Sequence, residues 1–104
     1  MDAARIKLLE QYVKEEPEDP FNWYALALEE SKRNPDKALE LFEYVLKNHS
    51  EYLPAYYHAG NLYLSEGKID SATTILQKGI DLAKRTGEQK AMRELEALLD
   101  DLIC

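Results

Sequence analysis

Tyr56-Tyr57-His58-Ala59-Gly60-Asn61-Leu62-Tyr63, followed by Ala72 and Leu76, decides the fold of this chain. Large and tiny side chains alternate here at spacings of three and four, the signature of a helix with one packed face. The same order stands earlier as Trp23, Leu26 and Ala27, followed by Ala38 and Phe42. From Trp23 to Tyr56 the step is 33 residues. A period of that size describes a helical hairpin that cannot bury its own apolar face and therefore packs against a copy of itself. Ala27 and Gly60 hold equivalent places in the first helix of each hairpin, and Ala38 and Ala72 in the second. Short side chains there let helix axes approach, while Trp23, Phe42, Tyr56, Tyr63 and Leu76 fill the surrounding space.

Working outward, no stretch alternates in the manner of a strand, and the punctuation divides the chain into six helices near 2–15, 20–32, 35–48, 53–66, 69–85 and 88–102. Asp19 and Asn34 each precede a proline. A side-chain oxygen at those positions can accept from an orphan backbone N–H, and proline fills the first helical position, where its missing donor costs nothing. Links of two to five residues turn consecutive helices antiparallel.

The 104 residues suit one domain, and no apolar run reaches the ~18 residues of a membrane span. The opening Met1-Asp2-Ala3-Ala4-Arg5 lacks the basic and apolar blocks of a secretory signal, which leads to the expectation of a cytoplasmic location. Thirteen basic against twenty acidic residues give a net charge of −7, which opposes a nucleic-acid backbone or an anionic membrane. Four carboxylates crowd Glu15-Glu16-Pro17-Glu18-Asp19, as a solvated turn that starts a helix or as a docking site for a basic partner. Cys104, the single cysteine, allows no internal disulfide; it is a terminal thiol or an intermolecular bridge.

These residues resemble the tetratricopeptide repeat, whose pattern runs W-x2-L-G-x2-Y, then A-x3-F, then P. The second unit matches at Tyr56, Ala59, Gly60, Tyr63, Gly67, Ala72 and Leu76, and the first at Trp23, Leu26, Ala27, Ala38 and Phe42. The first unit is one residue short in its inter-helix turn and carries Glu30 where the family prefers tyrosine. Pro17 resembles the proline that closes a preceding repeat, and helix 2–15, with Leu9 and Tyr12, the second half of a repeat whose first half is missing. Met92, Leu95, Leu99 and Leu102 resemble the capping helix that ends such arrays. The resemblance implies an all-α, right-handed superhelical array of antiparallel hairpins, an α-solenoid of about six helices. Within a single domain 1–104 it places a half-repeat at 2–15, repeats at 20–52 and 53–86, and a cap at 88–103.

It further implies a non-enzymatic scaffold, without cofactor or metal, that binds a peptide or partner helix in a concave groove lined by the first helix of each hairpin. Carried onto this sequence, the groove positions are Phe21, Tyr24, Leu28 and Ser31, then Tyr57, Asn61, Leu64 and Ser65, with Arg93 from the terminal helix. An aromatic, neutral lining suits an apolar segment better than an acidic peptide. Some members clamp the carboxylate end of a chaperone peptide with lysine, arginine and asparagine. Here only Asn61 and Arg93 match, and Tyr24 and Leu28 stand where lysine and asparagine would be wanted. A different role is self-association, as a homodimer through the terminal helices, with Leu95, Leu98, Leu99, Leu102 and Ile103 as the contact stripe. Catalysis finds no support: His49 and His58 lie on different helices, His49 at the surface and His58 half-buried. Glu29-Glu30 and Asp100-Asp101 point about 100° apart and read as solvated faces. No glycine belongs to a phosphate-cradling loop.

Gly60→Leu is expected to overpack the helix crossing and cost about 1–3 kcal/mol, measured by thermal unfolding; unchanged stability would remove Gly60 from the crossing.

Overall fold

In the computed structural model, which describes residues 2–103, six helices follow one another. They are α1 (Asp2–Glu15), α2 (Pro20–Glu30), α3 (Pro35–Asn48), α4 (Leu53–Ser65), α5 (Ile69–Thr86) and α6 (Gln89–Ile103). Among the described residues there is no strand, and every helix end falls within two residues of its expected place. Cys104 and the side chain of Ile103 lie outside the described residues.

The helix starts are those the prolines announce. Asp19 Oδ1 accepts from the Phe21 N–H at 3.0 Å, and Asn34 Oδ1 from the Lys37 N–H at 3.3 Å. The stops differ. After α4 the chain turns at Gly67, whose φ of +75° lies in the left-handed region open to glycine. Lys68 N–H donates to the Tyr63 carbonyl at 2.8 Å and Gly67 N–H to Leu64 at 3.0 Å, closing the helix in a Schellman turn. Gly87, φ +76°, ends α5 in the same way. No glycine ends α2, which unwinds through Ser31, Lys32 and Arg33. The first hairpin is one residue shorter because α2 is two residues shorter than α4, 11 against 13, while its link, 31–34, is one residue longer than 66–68; the shortening lies in the helix and not in the link as expected.

Internal contacts divide the chain into two units, Met1–Tyr52 and Leu53–Cys104. In the first, α2 packs against both α1 and α3, burying Ile6, Leu9 and Val13 together with Leu26, Ala27, Ala38, Phe42 and Val45. Trp23 departs from the expected role. Instead of filling the core it stays half-buried, stacks on Tyr44 with ring centroids 4.0 Å apart, and donates from Nε1 to the Pro17 carbonyl at 2.7 Å. It fastens the α1–α2 link to the hairpin.

In the second unit α5 packs against both α4 and α6, over Tyr56, Ala59, Tyr63, Ala72, Leu76, Ile80 and Leu95. A methyl group on Gly60 would lie 2.5 Å from Leu76 Cδ2 and 2.8 Å from its Cγ, so any side chain here would force the buried Leu76 to shift. Gly79 plays the same part unannounced by the repeat: a methyl there would stand 2.7 Å from Tyr56 Cβ and 3.2 Å from Leu95 Cδ1. Three helices converge on it.

Glu29 and Glu30 are not solvated. They are 8% and 4% exposed, because α1 and the end of α2 cover them. Arg5 Nε of α1 reaches Glu29 Oε2 at 2.9 Å, Lys32 lies 3.5 Å from the same carboxylate, and Arg33 Nε meets Glu30 Oε1 at 3.2 Å. Glu30 occupies the place that Tyr63, itself buried, holds in the second unit. Burial acts to raise the Glu29 carboxyl, but the Arg5 hydrogen bond and the Lys32 charge outweigh it and hold the group below its ordinary value of 4.5. A carboxyl lowered by folding stabilises the fold above its unfolded pKa, and that contribution fades as pH falls through the lower, folded value. Glu29→Gln should therefore be less stable than the wild type at neutral pH, with the difference shrinking below pH 4.5. Urea unfolding between neutral and acidic pH measures this, and parallel curves would refute it.

Candidate functional site

Steps of three and four bring Phe21, Tyr24, Leu28 and Ser31 onto one face of α2, opposite the residues that bury Leu26, Ala27 and Glu30. Phe21 is 54% exposed, whereas Tyr24, Leu28 and Ser31 are half-buried. The Tyr24 ring is the centre of an aromatic group, with centroids 6.3 Å from Phe21, 6.4 Å from Phe42 and 5.3 Å from Tyr52, the latter two edge-on. Ser31 Oγ donates back to the Leu28 carbonyl at 2.7 Å, so its proton is spent within the helix.

Burial pushes the Tyr24 hydroxyl above its ordinary pKa. At Tyr52 burial does the same, and the charges of Tyr24 and Asp19 add to it. Beside Tyr52 lies an open depression of about 390 Å³, lined by Pro20, Asn48, His49, Ser50, Glu51 and Tyr52. Sequence reasoning missed Tyr52 and Tyr44, since neither falls on a repeat position. His49, expected at the surface, is half-buried with its ring 6.4 Å from Tyr44.

On α4 of the second unit, Tyr57, Asn61 and Leu64 share one stripe and Ser65 adjoins it. Tyr57 and Leu64 are half-buried; Asn61 and Ser65 are exposed. The Tyr57 ring lies edge-on to His58 at 5.5 Å, and burial holds His58 below its ordinary pKa. Ser65 Oγ donates to the Leu62 carbonyl at 2.9 Å, as Ser31 does to its own helix. Arg93 is exposed on α6. Among the described residues no three His, Cys, Asp or Glu side chains gather to hold a metal ion, and no helix is long and apolar enough to cross a membrane.

The sequence profile of the tetratricopeptide repeat family matches residues 31–99. A tetratricopeptide repeat domain protein from Salinibacter ruber, solved in solution by NMR, is 39% identical, covers 83% of this chain and 88% of its own, and superposes with a TM-score of 0.79. A crystal structure of a tetratricopeptide repeat domain protein from the same organism is 38% identical over 81% of this chain and 94% of its own, with a TM-score of 0.75. No curated protein matches the chain. Two hairpins built on the same order of large and vanishing side chains, together with these matches, make this chain a member of the tetratricopeptide repeat family, whose proteins are in general non-enzymatic modules for protein–protein interaction.

Proposed function

We propose that this protein binds segments of a partner protein, apolar or aromatic in character, with the α2 face that carries Phe21, Tyr24, Leu28 and Ser31 as a contact surface of the first unit and the α4 face that carries Tyr57, Asn61 and Leu64 as one of the second. The observation that carries the reading is Phe21, a large ring left mostly in water on top of a half-buried tyrosine. Aromatic side chains concentrate in the centres of protein interfaces because they bury much area at little cost in side-chain freedom. In the first unit Leu28 adds apolar surface and Ser31 a polar neighbour; in the second, Tyr57 and Leu64 offer the same chemistry, with Asn61 and Ser65 beside them on α4 and Arg93 exposed on α6. The reading calls for no cofactor and no catalytic group. A partner isolated by pull-down from the native cell provides the probe. Tyr57→Ala should weaken that partner by about 1–3 kcal/mol in a titration while leaving helical content unchanged. Undiminished affinity would remove Tyr57 from the contact face.

A second reading, self-association, is supported by α6. Among the described side chains of its apolar face only Leu95 is buried, and Met92, Leu98, Leu99 and Leu102 are half-exposed. A second copy that covered them would show in light scattering as a mass that rises with concentration. A mass fixed at 12.0 kDa throughout would dispose of the homodimer.

A further inference from the structure

The depression beside Tyr52 has a chemistry more specific than an apolar face. It forms where the end of α3 and the chain that follows it meet the start of α2. Its volume of about 390 Å³ lies at the low end for ligand sites, enough for one long side chain but not for a helix.

Four features set the sign of charge it accepts. First, α3 ends at Asn48 with His49 as its C-cap, and a helix C-terminus carries partial negative charge. Second, the opposing positive end, the start of α2, is already answered by the Asp19 carboxylate that caps it. Third, Glu51 lines the depression, and among the described residues no basic side chain pairs with Glu51 or Asp19, nor with Glu16 or Glu18 in the link that leads to them. Lys14 and Lys47, in the last turns of α1 and α3, are exposed, and neither lines the depression; His49 does. Fourth, the Tyr52 ring lines the depression; it lies against Tyr24, which lies beside Phe21. Ring faces attract cations, and the alkyl stems of lysine and arginine cover apolar surface while their heads stay near water and carboxylates. Burial first, and then the charges of Tyr24 and Asp19, disfavour ionisation of the Tyr52 hydroxyl, so Asp19 lies close enough to act on the ring that lines the depression.

We propose that this depression seats one lysine or arginine side chain of the bound partner segment, its stem along Pro20 and Tyr52 and its cation facing Glu51 and Asp19. This assignment rests on the peptide-binding reading above and adds a charge requirement to it. The acidic run 15–19 then acts at longer range, drawing a basic segment toward the notch and keeping acidic ones away.

The test uses the full chain. Phage-displayed dodecapeptides of random sequence are selected on it, and the recovered peptides are synthesised with each lysine or arginine replaced in turn by norleucine, which keeps the stem and removes the charge. One such replacement should weaken binding about five- to tenfold. In Glu51→Gln, a change at an exposed position, and in Asp19→Asn, where asparagine keeps the helix cap, the penalty for norleucine should shrink. Amide shifts on binding should include Asn48–Tyr52. Recovered peptides that tolerate norleucine everywhere, a norleucine penalty unchanged in both variants, or shifts that avoid Asn48–Tyr52 would overturn the notch and leave peptide binding standing. Recovery of no peptide would overturn both.

Discussion

Each unit of this protein depends on places where a side chain is missing. Gly60 lies so close to Leu76 that a single methyl would collide, and Gly79 is closed in by Tyr56 and Leu95. Ala27, Ala38 and Ala72 are likewise without exposed surface. Interiors are packed too densely for such crossings to absorb extra volume, so the helices meet in one rotational setting. That setting governs everything outside the core. Once Leu26, Ala27 and Glu30 face inward on α2, Phe21, Tyr24, Leu28 and Ser31 have no choice but to share the opposite side.

The two units use the same frame for different contents. Where the second buries Tyr63, the first buries Glu30 beside Arg33, and where α4 is closed by a glycine turn, α2 simply unwinds. The first unit also collects more rings: Trp23 on Tyr44, and Tyr24 among Phe21, Phe42 and Tyr52. The carboxylates of the α1–α2 link and Glu51 belong to this unit as well. The frame is common to the family; the units differ in the side chains that they set upon it.

Much of this was legible without coordinates. Asp19-Pro20 and Asn34-Pro35 announce two helix starts because capping involves atoms only two or three residues apart. The 33-residue period announces the hairpins because tiny residues must recur wherever the same crossing recurs. The outer faces of α2 and α4 follow from the same arithmetic. Glu29-Glu30 misled for a physical reason: a carboxylate pair on a helix is ordinarily solvated, and nothing local reveals that Arg5, 24 residues away, covers one of them. Trp23 misled likewise, since its partners Tyr44 and Pro17 lie on other segments.

By itself the sequence determined the helices, their ends, their pairing into hairpins and the family, all consequences of spacings within a few residues or of one repeated spacing. Tertiary structure alone decided the burial of Glu29 and Glu30, the closeness of Gly79 to two neighbouring helices, and the meeting of Tyr52 with Tyr24 beside a notch at the end of α3. Those depend on distances between segments far apart along the chain, and such distances exist only once the helices have been locked together by the packing of their small residues.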